Sequence, residues 1–248
     1  MTPSCPITKL QTRGRKGHSD EEITKYADPI PSSQTKNLYI PGGIMTDTVQ
    51  ETVVAPPAPT GDPAMIGLPS FIVGATAFAL GAVGYIPAAG SGGVLPNIIT
   101  ATGIGLLVAA VWATRLGQSA VASLFAIFAG FWLSYAALLL GLDHNWYAIP
   151  AADVKQTIVT YLVAWAVLIG VLTLSTLRLP MVFSAILALV EIALLFILAG
   201  TIQGSNTLTH IGGYIVFAFC ALGLYAFASA AMISTGGKGL SLGNPIVK

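Results

Sequence analysis

The chain has 248 residues, 54% of them hydrophobic and only 8% charged, with a net charge of +1 and a mean hydropathy of +0.79. Soluble domains carry about 25% charged residues, so the composition excludes an ordinary water-soluble fold and points to a protein with the lipid bilayer as partner. Cys5 and Cys220 stand far apart in no CxxC or metal-type spacing. Neither a disulfide framework nor a metal site is expected, and no cofactor or nucleic-acid partner is implied.

Taken in chain order, residues 1–44 hold six of the Lys/Arg and four of the Asp/Glu, and the remaining 204 hold five and six. This polar, Ser-, Pro- and Lys-bearing opening cannot bury enough apolar surface to order itself. It also lacks the apolar core of about 7–15 residues that a signal peptide needs. A disordered tail is expected over residues 1–60. Two readings of its first part stand: a more ordinary start, MTDTVQETVVAPPAPTG, begins at Met45, so residues 1–44 are either an over-extended reading or a genuine cytoplasmic tail.

From Ala64 the pattern changes. Six apolar runs cover about 64–85, 95–114, 119–141, 154–176, 180–201 and 208–233, and roughly 20 such residues cross about 30 Å of hydrocarbon as a helix. The expectation is an all-α membrane protein: a six-helix domain over 61–235, then a short cytoplasmic tail over 236–248. The breaks carry loop chemistry, as in 87-PAAGSGG-93, 115-RLGQ-118 and 203-QGSNT-207, and Trp146 and Tyr147 fall where an interfacial aromatic belt would sit. With the start inside, the inner segments hold the six tail cations plus Arg115, Arg178, Lys238 and Lys248, against Lys155 outside. The positive-inside rule then places both termini in the cytoplasm, whichever start is real. Small residues, as in 126-AIFAG-130 and 218-AFCALG-223, suit close helix packing in lipid.

The first run opens as 61-GDPAMIGLPSF-71. Asp62 is a good N-cap and Pro63 suits the first helical turn, but Pro69 deprives a carbonyl about four residues back of its donor. Such breaks are tolerated in a membrane where backbone is buried in protein or lines a cavity, and a helix start offers free N–H groups to a carboxylate. A simple capped entry to a helix accounts for the same residues. Glu191, in 187-LALVEIALLFILAG-200, is the one formal charge deep in a span. A mid-bilayer charge costs about 2.5–3.5 kcal/mol on insertion scales and faces the bundle interior or a cavity. It reads either as a proton-responsive group on a permeation path or as a carboxyl satisfied by a neighbouring helix. His210 opens the sixth span beside Thr207, Thr209, Gly212 and Gly213. It reads as a local hydrogen-bonding residue or as a site of proton exchange or substrate contact.

These stretches resemble the acetate uptake transporters, also called succinate–acetate permeases. 62-DPAMIGL-68 resembles the NPAPLGL signature that opens their first span, and 103-GIGLLVAAVWATRLGQSAVASLFAIFAGFWLSYA-136 their second and third spans, ending in Phe-Trp-Leu. 176-TLR-178, 206-NTLTHIGG-213 and 240-LSLGNP-245 continue the likeness, which covers about residues 61–246. The resemblance implies a plasma-membrane homohexamer with a separate path through each subunit. Each path carries small monocarboxylates such as acetate, sometimes succinate, with proton coupling or by channel-like flow. By the family's spacing the narrow point falls on Phe71, Phe128 and Val190, and the signature places the vestibule on Asp62, Pro63, Gly67 and Leu68. Glu191, beside Val190 and where the family usually has a neutral residue, and His210 are the candidates for proton linkage.

The chain also departs from the family pattern. The signature's Asn is Asp62, its second Pro is Met65, the constriction Tyr is Phe128, the Gly-Asn-Thr turn is Gly117-Gln118-Ser119, and a glutamate late in the second span is Ala113. An acid at the mouth would repel a carboxylate unless it caps the helix with its side chain turned away. Other readings are a non-transporting sensor or assembly protein on the same fold, and a permease for ammonium or another small solute. An intramembrane protease using Ser91 and His210 lacks the G-x-S-G it would need, a retinal protein lacks a mid-span lysine, and a haem subunit lacks paired histidines.

Overall fold

The computed structural model describes residues 61–247. The expected tail over residues 1–60, with its alternative start at Met45, lies outside the described residues, as does Lys248. Six spans cross the domain: α1 (Ala64–Ala82), a second span Gly92–Arg115 that ends in α2 (Gly105–Arg115), α3 (Ser119–Asp143), α4 (Val154–Ser175), α5 (Met181–Gln203) and α6 (Asn206–Ser234). All six are long and apolar enough to cross a membrane. At 1.5 Å per residue the shortest, α1, reaches about 29 Å. Short turns alternate their direction, so Asp62, Arg115, Arg178 and Lys238 share one end of the bundle and Asp143, Trp146 and Lys155 the other.

The spans sit close to the expected boundaries, with one difference in kind. The second is not a plain α-helix over 95–114. It enters through a 3₁₀ turn, Ala88–Val94, across the expected loop 87–93, and then runs as a π-helix from Asn97 to Ile104. Here the chain presses against α1. Thr102, fully buried, donates from Oγ1 to the Ser70 carbonyl at 2.7 Å. Its hydroxyl fills the space where a side chain on Gly74 would be, while Gly105 leaves room for Ser70 and Gly103 for Leu133. Glycine lets backbones approach in lipid, and π-helical turns, rare overall, are frequent at functional sites.

α1 packs between α6 and the second span, α2 against α3, α4 against α5 and α5 against α6. The core is aromatic: Phe71, Phe128, Trp132 and Phe219 are each at least nine-tenths buried. Outward faces are apolar instead of charged, as with Val163, Val167, Val171 and Leu174 on α4 and Leu107, Val108 and Val111 on α2. Such faces require lipid or another protein as solvent. α5 ends on Gly204 in the left-handed region (φ 65°), and Ser205 Oγ then accepts from the Leu208 N–H to start α6. Past α6 the chain folds back: Val182 N–H donates to the Leu242 carbonyl at 3.1 Å, and the Ile246 and Val247 N–H groups both donate to the Leu177 carbonyl at 3.0 Å.

Candidate functional site

The start of α1 is built as its residues suggest. Asp62 Oδ1 accepts from the Ala64 N–H at 2.9 Å, so the carboxylate is turned onto the helix end and satisfies one of its orphan donors. Pro63 is fully buried with its carbonyl accepting from Gly67 N–H at 2.9 Å. Gly67 lies against the Phe125 ring, where any Cβ would overlap the ring atoms. Pro69 stands inside α1, and because it has no N–H, the Met65 carbonyl has no partner one turn on.

Two cavities lie along the bundle axis. One, of about 310 Å³, is at the Asp62 end, walled by Leu68, Leu106, Phe125, Phe183 and Leu242 among others. The second, of about 460 Å³, extends to the opposite end, where Thr201, Asn206, Thr209 and His210 join its wall. Phe71 of α1 and Phe128 of α3 line both. Their rings meet edge to face at 66° with centroids 5.0 Å apart, and Phe219 of α6 leans on Phe71 at 5.6 Å.

Of the residues singled out in the sequence, Phe71 and Phe128 are brought together, and Asp62 and Leu68 lie on the wall of the first cavity. Val190, 8% exposed, lines the second cavity but not the first; His210 also lines the second. His210 Nε2 lies 3.3 Å from where a Cβ on Gly84 would stand. Glu191 is on neither wall. Its half-buried carboxyl points to α4, with Oε1 3.7 Å from where a Cβ on Gly170 would stand, and Oε2 has no hydrogen-bond partner among the described residues.

Among the wall residues not singled out in the sequence are Phe219, Leu242 and Trp132. Phe219 lies in the stretch read as small-residue packing. Leu242 belongs to the short segment after the last span. Trp132, one turn beyond Phe128 on α3, lines the second cavity, and its Nε1–H is buried without a partner among the described residues. The signal for Trp132 was present, since residues i and i+4 share a helix face. Three wall hydroxyls are occupied by backbone: Thr201 donates to the Ile197 carbonyl, Thr209 to that of Ser205 and Ser229 to that of Leu240. Neither wall contains Lys or Arg among the described residues.

A model of the GPR1/FUN34/yaaH family matches residues 46–237. The chain belongs to that family, as a six-span, all-α membrane protein. Two relatives from Saccharomyces cerevisiae align over 181 residues: accumulation of dyads protein 2, 27% identical, and ammonia transport outward protein 2, 26% identical. Each alignment covers 66% of this chain and 61% of the relative, so the chain spans less than two thirds of their length. Among solved structures, the bacterial acetate channel SatP has a similar fold, with a TM-score of 0.66 at 22% identity over 73% of this chain and 98% of that one.

Proposed function

We propose that the chain is a transporter or channel for small monocarboxylates such as acetate, with its route running through the two cavities and its narrow point at Phe71 and Phe128. The observation that carries this reading is the shared wall: two separate cavities reach opposite ends of the bundle and meet at one edge-to-face aromatic pair. Phe219 leans on Phe71 and, like Val190, lines the second cavity. An acetate ion entering such a constriction loses hydration, which is costly, and conduction requires attraction weak enough for release. A wall without Lys or Arg among the described residues meets that demand, because it offers no fixed cation to trap the anion. Asp62, with one carboxylate oxygen held by the helix end, presents less of its charge to an incoming anion. The likeness in fold to an acetate channel points the same way.

Proton linkage belongs to the same proposal. His210, which lines the second cavity, would exchange protons with cargo, whereas Glu191, in the α4–α5 seam, would act only through helix packing. The plasma membrane as location, cytoplasmic termini and a homohexamer with one route per subunit complete the proposal. Apolar outward faces on α2 and α4 are compatible with subunit packing.

The test is uptake of labelled acetate into proteoliposomes, with and without an inward proton gradient, after subtraction of entry into protein-free vesicles. Saturable uptake above that background supports the reading, and correctly folded protein that moves none ends it. A second reading, passage of ammonia, is favoured by the same apolar, cation-free constriction, which suits a small neutral solute, and by the name of one yeast relative. Methylammonium in the same vesicles separates the two.

A further inference from the structure

We infer that the segment after α6 is a strap that gates the Asp62 end of the route, with Leu242 as its seal. The inference rests on reading the cavities as a route, but not on which solute uses it.

After α6 ends at Ser234, Gly236 takes the left-handed conformation (φ 83°) and turns the chain back over the bundle. The returning segment is pinned at several points. Leu240 N–H donates to Ser229 Oγ at 3.0 Å while Ser229 Oγ donates to the Leu240 carbonyl at 3.2 Å. Tyr225 Oη donates to the Ser241 carbonyl at 2.9 Å. The Leu242 carbonyl takes the Val182 N–H at the start of α5, and the Leu177 carbonyl takes those of Ile246 and Val247. Gly243 (φ 77°) crosses close over Met181, whose Cβ lies 3.0 Å from where a glycine Cβ would stand. The strap thus spans from α6 to the α4–α5 turn.

Between those pins one apolar side chain turns inward. Leu242 forms part of the first cavity's wall together with Leu68, Phe183 and Ser229. Ser241, Gly243, Asn244, Pro245, Ile246 and Val247 are exposed. An element of mostly exposed residues, held by a few hydrogen bonds and one half-buried leucine, lies toward the low-stability end of local opening, where moving parts are found. Lifting it removes the leucine from the wall and opens a way from the aqueous side to the cavity. Its pins attach to α6 and to the α4–α5 turn, so a shift of those helices would also shift the seal.

The experiment uses the full chain in proteoliposomes with Cys5→Ser and Cys220→Ala, and Ala64→Cys on the first cavity's wall as reporter. The readouts are its rate of labelling by a small charged thiol reagent and, in parallel, acetate uptake. Deleting residues 239–248 should raise labelling about tenfold or more, because the open form is otherwise a minor population of about 0.1–10%. Leu242→Ala should raise it by about threefold, since the strap stays pinned while its seal is trimmed. Tyr225→Phe with Ser229→Ala keeps the chain length and decides the matter if the deletion does not fold. Labelling unchanged from the parent in every folded variant overturns the inference, whether the parent labels quickly or not at all. Raised labelling without acetate uptake in any variant keeps the strap and ends the acetate reading. Acetate uptake in the parent with labelling and uptake both indifferent to the strap does the reverse.

Discussion

Phe71 and Phe128 lie with ring centroids 5.0 Å apart, and they are the two described residues common to the walls of both cavities. Replacing either by a smaller residue would join two apolar chambers into one. Phe71→Ala is therefore expected to raise the initial rate of acetate uptake about tenfold, equivalent to about 1.4 kcal/mol off the barrier. It should also admit succinate. The same variant should lose about 3–5 kcal/mol of stability, since a nearly buried ring is removed. Vesicle uptake and thermal unfolding in detergent measure the two effects, and unchanged rate and selectivity would remove these rings from the route.

Trp132 places an N–H donor in the interior with no partner among the described residues. An unsatisfied buried donor costs about 1–3 kcal/mol, and truncating it to an apolar group of similar shape can be neutral or stabilising. Trp132→Phe should therefore leave thermal stability unchanged or higher. If the indole turns toward the second cavity to hold a passing carboxylate, the variant should raise the half-saturation concentration for acetate about fivefold to tenfold, the worth of about 1–1.4 kcal/mol. A variant that transports with parental affinity would reduce Trp132 to packing.

Gly67 has the Phe125 ring where its Cβ would be. Gly67→Ala is expected to push α1 from α3 and lower stability by about 1–3 kcal/mol, the usual cost of overpacking. Adding Phe125→Leu should restore a large part of the loss, because both changes act on one contact. Additive losses in the double variant would show that the contact is not the cause.

Glu191 and His210 divide the proton-linked proposal between them. Glu191→Gln should leave gradient-stimulated acetate uptake within about twofold of the parent and should not lower thermal stability, because it removes a costly intramembrane charge and keeps the shape. His210→Gln should abolish the gradient-stimulated part while leaving downhill flux. Loss of stimulation in Glu191→Gln alone would put the carboxyl, not the imidazole, at the centre of coupling.

Much of this fold could be read along the chain, because hydrocarbon imposes a length of about 20 apolar residues on every crossing helix. The Asp62-Pro63 entry was legible for the same kind of local reason: capping and proline geometry act within one turn. The π-helical second span was not, since it depends on Thr102 reaching Ser70 and on Gly74 leaving room for it, a contact 32 residues apart in sequence. Glu191 shows the opposite limit. Its neighbour Val190 lies on a cavity wall, yet one residue of helix rotation, about 100°, turns the carboxyl toward Gly170 and α4.

The sequence by itself determined the number of spans, their order and the residue types in them, because a membrane tests those properties segment by segment. Family likeness added which residues to compare. Only the tertiary structure decided that Phe71 and Phe128 separate two chambers, that Phe219 and Trp132 join the wall of the second, and that Leu242 returns from beyond the last helix to the wall at the Asp62 end. The physical reason is packing: side chains distant in sequence share a cavity only once the helices are set at fixed distances and rotations, and within an apolar span hydropathy does not record which face looks inward.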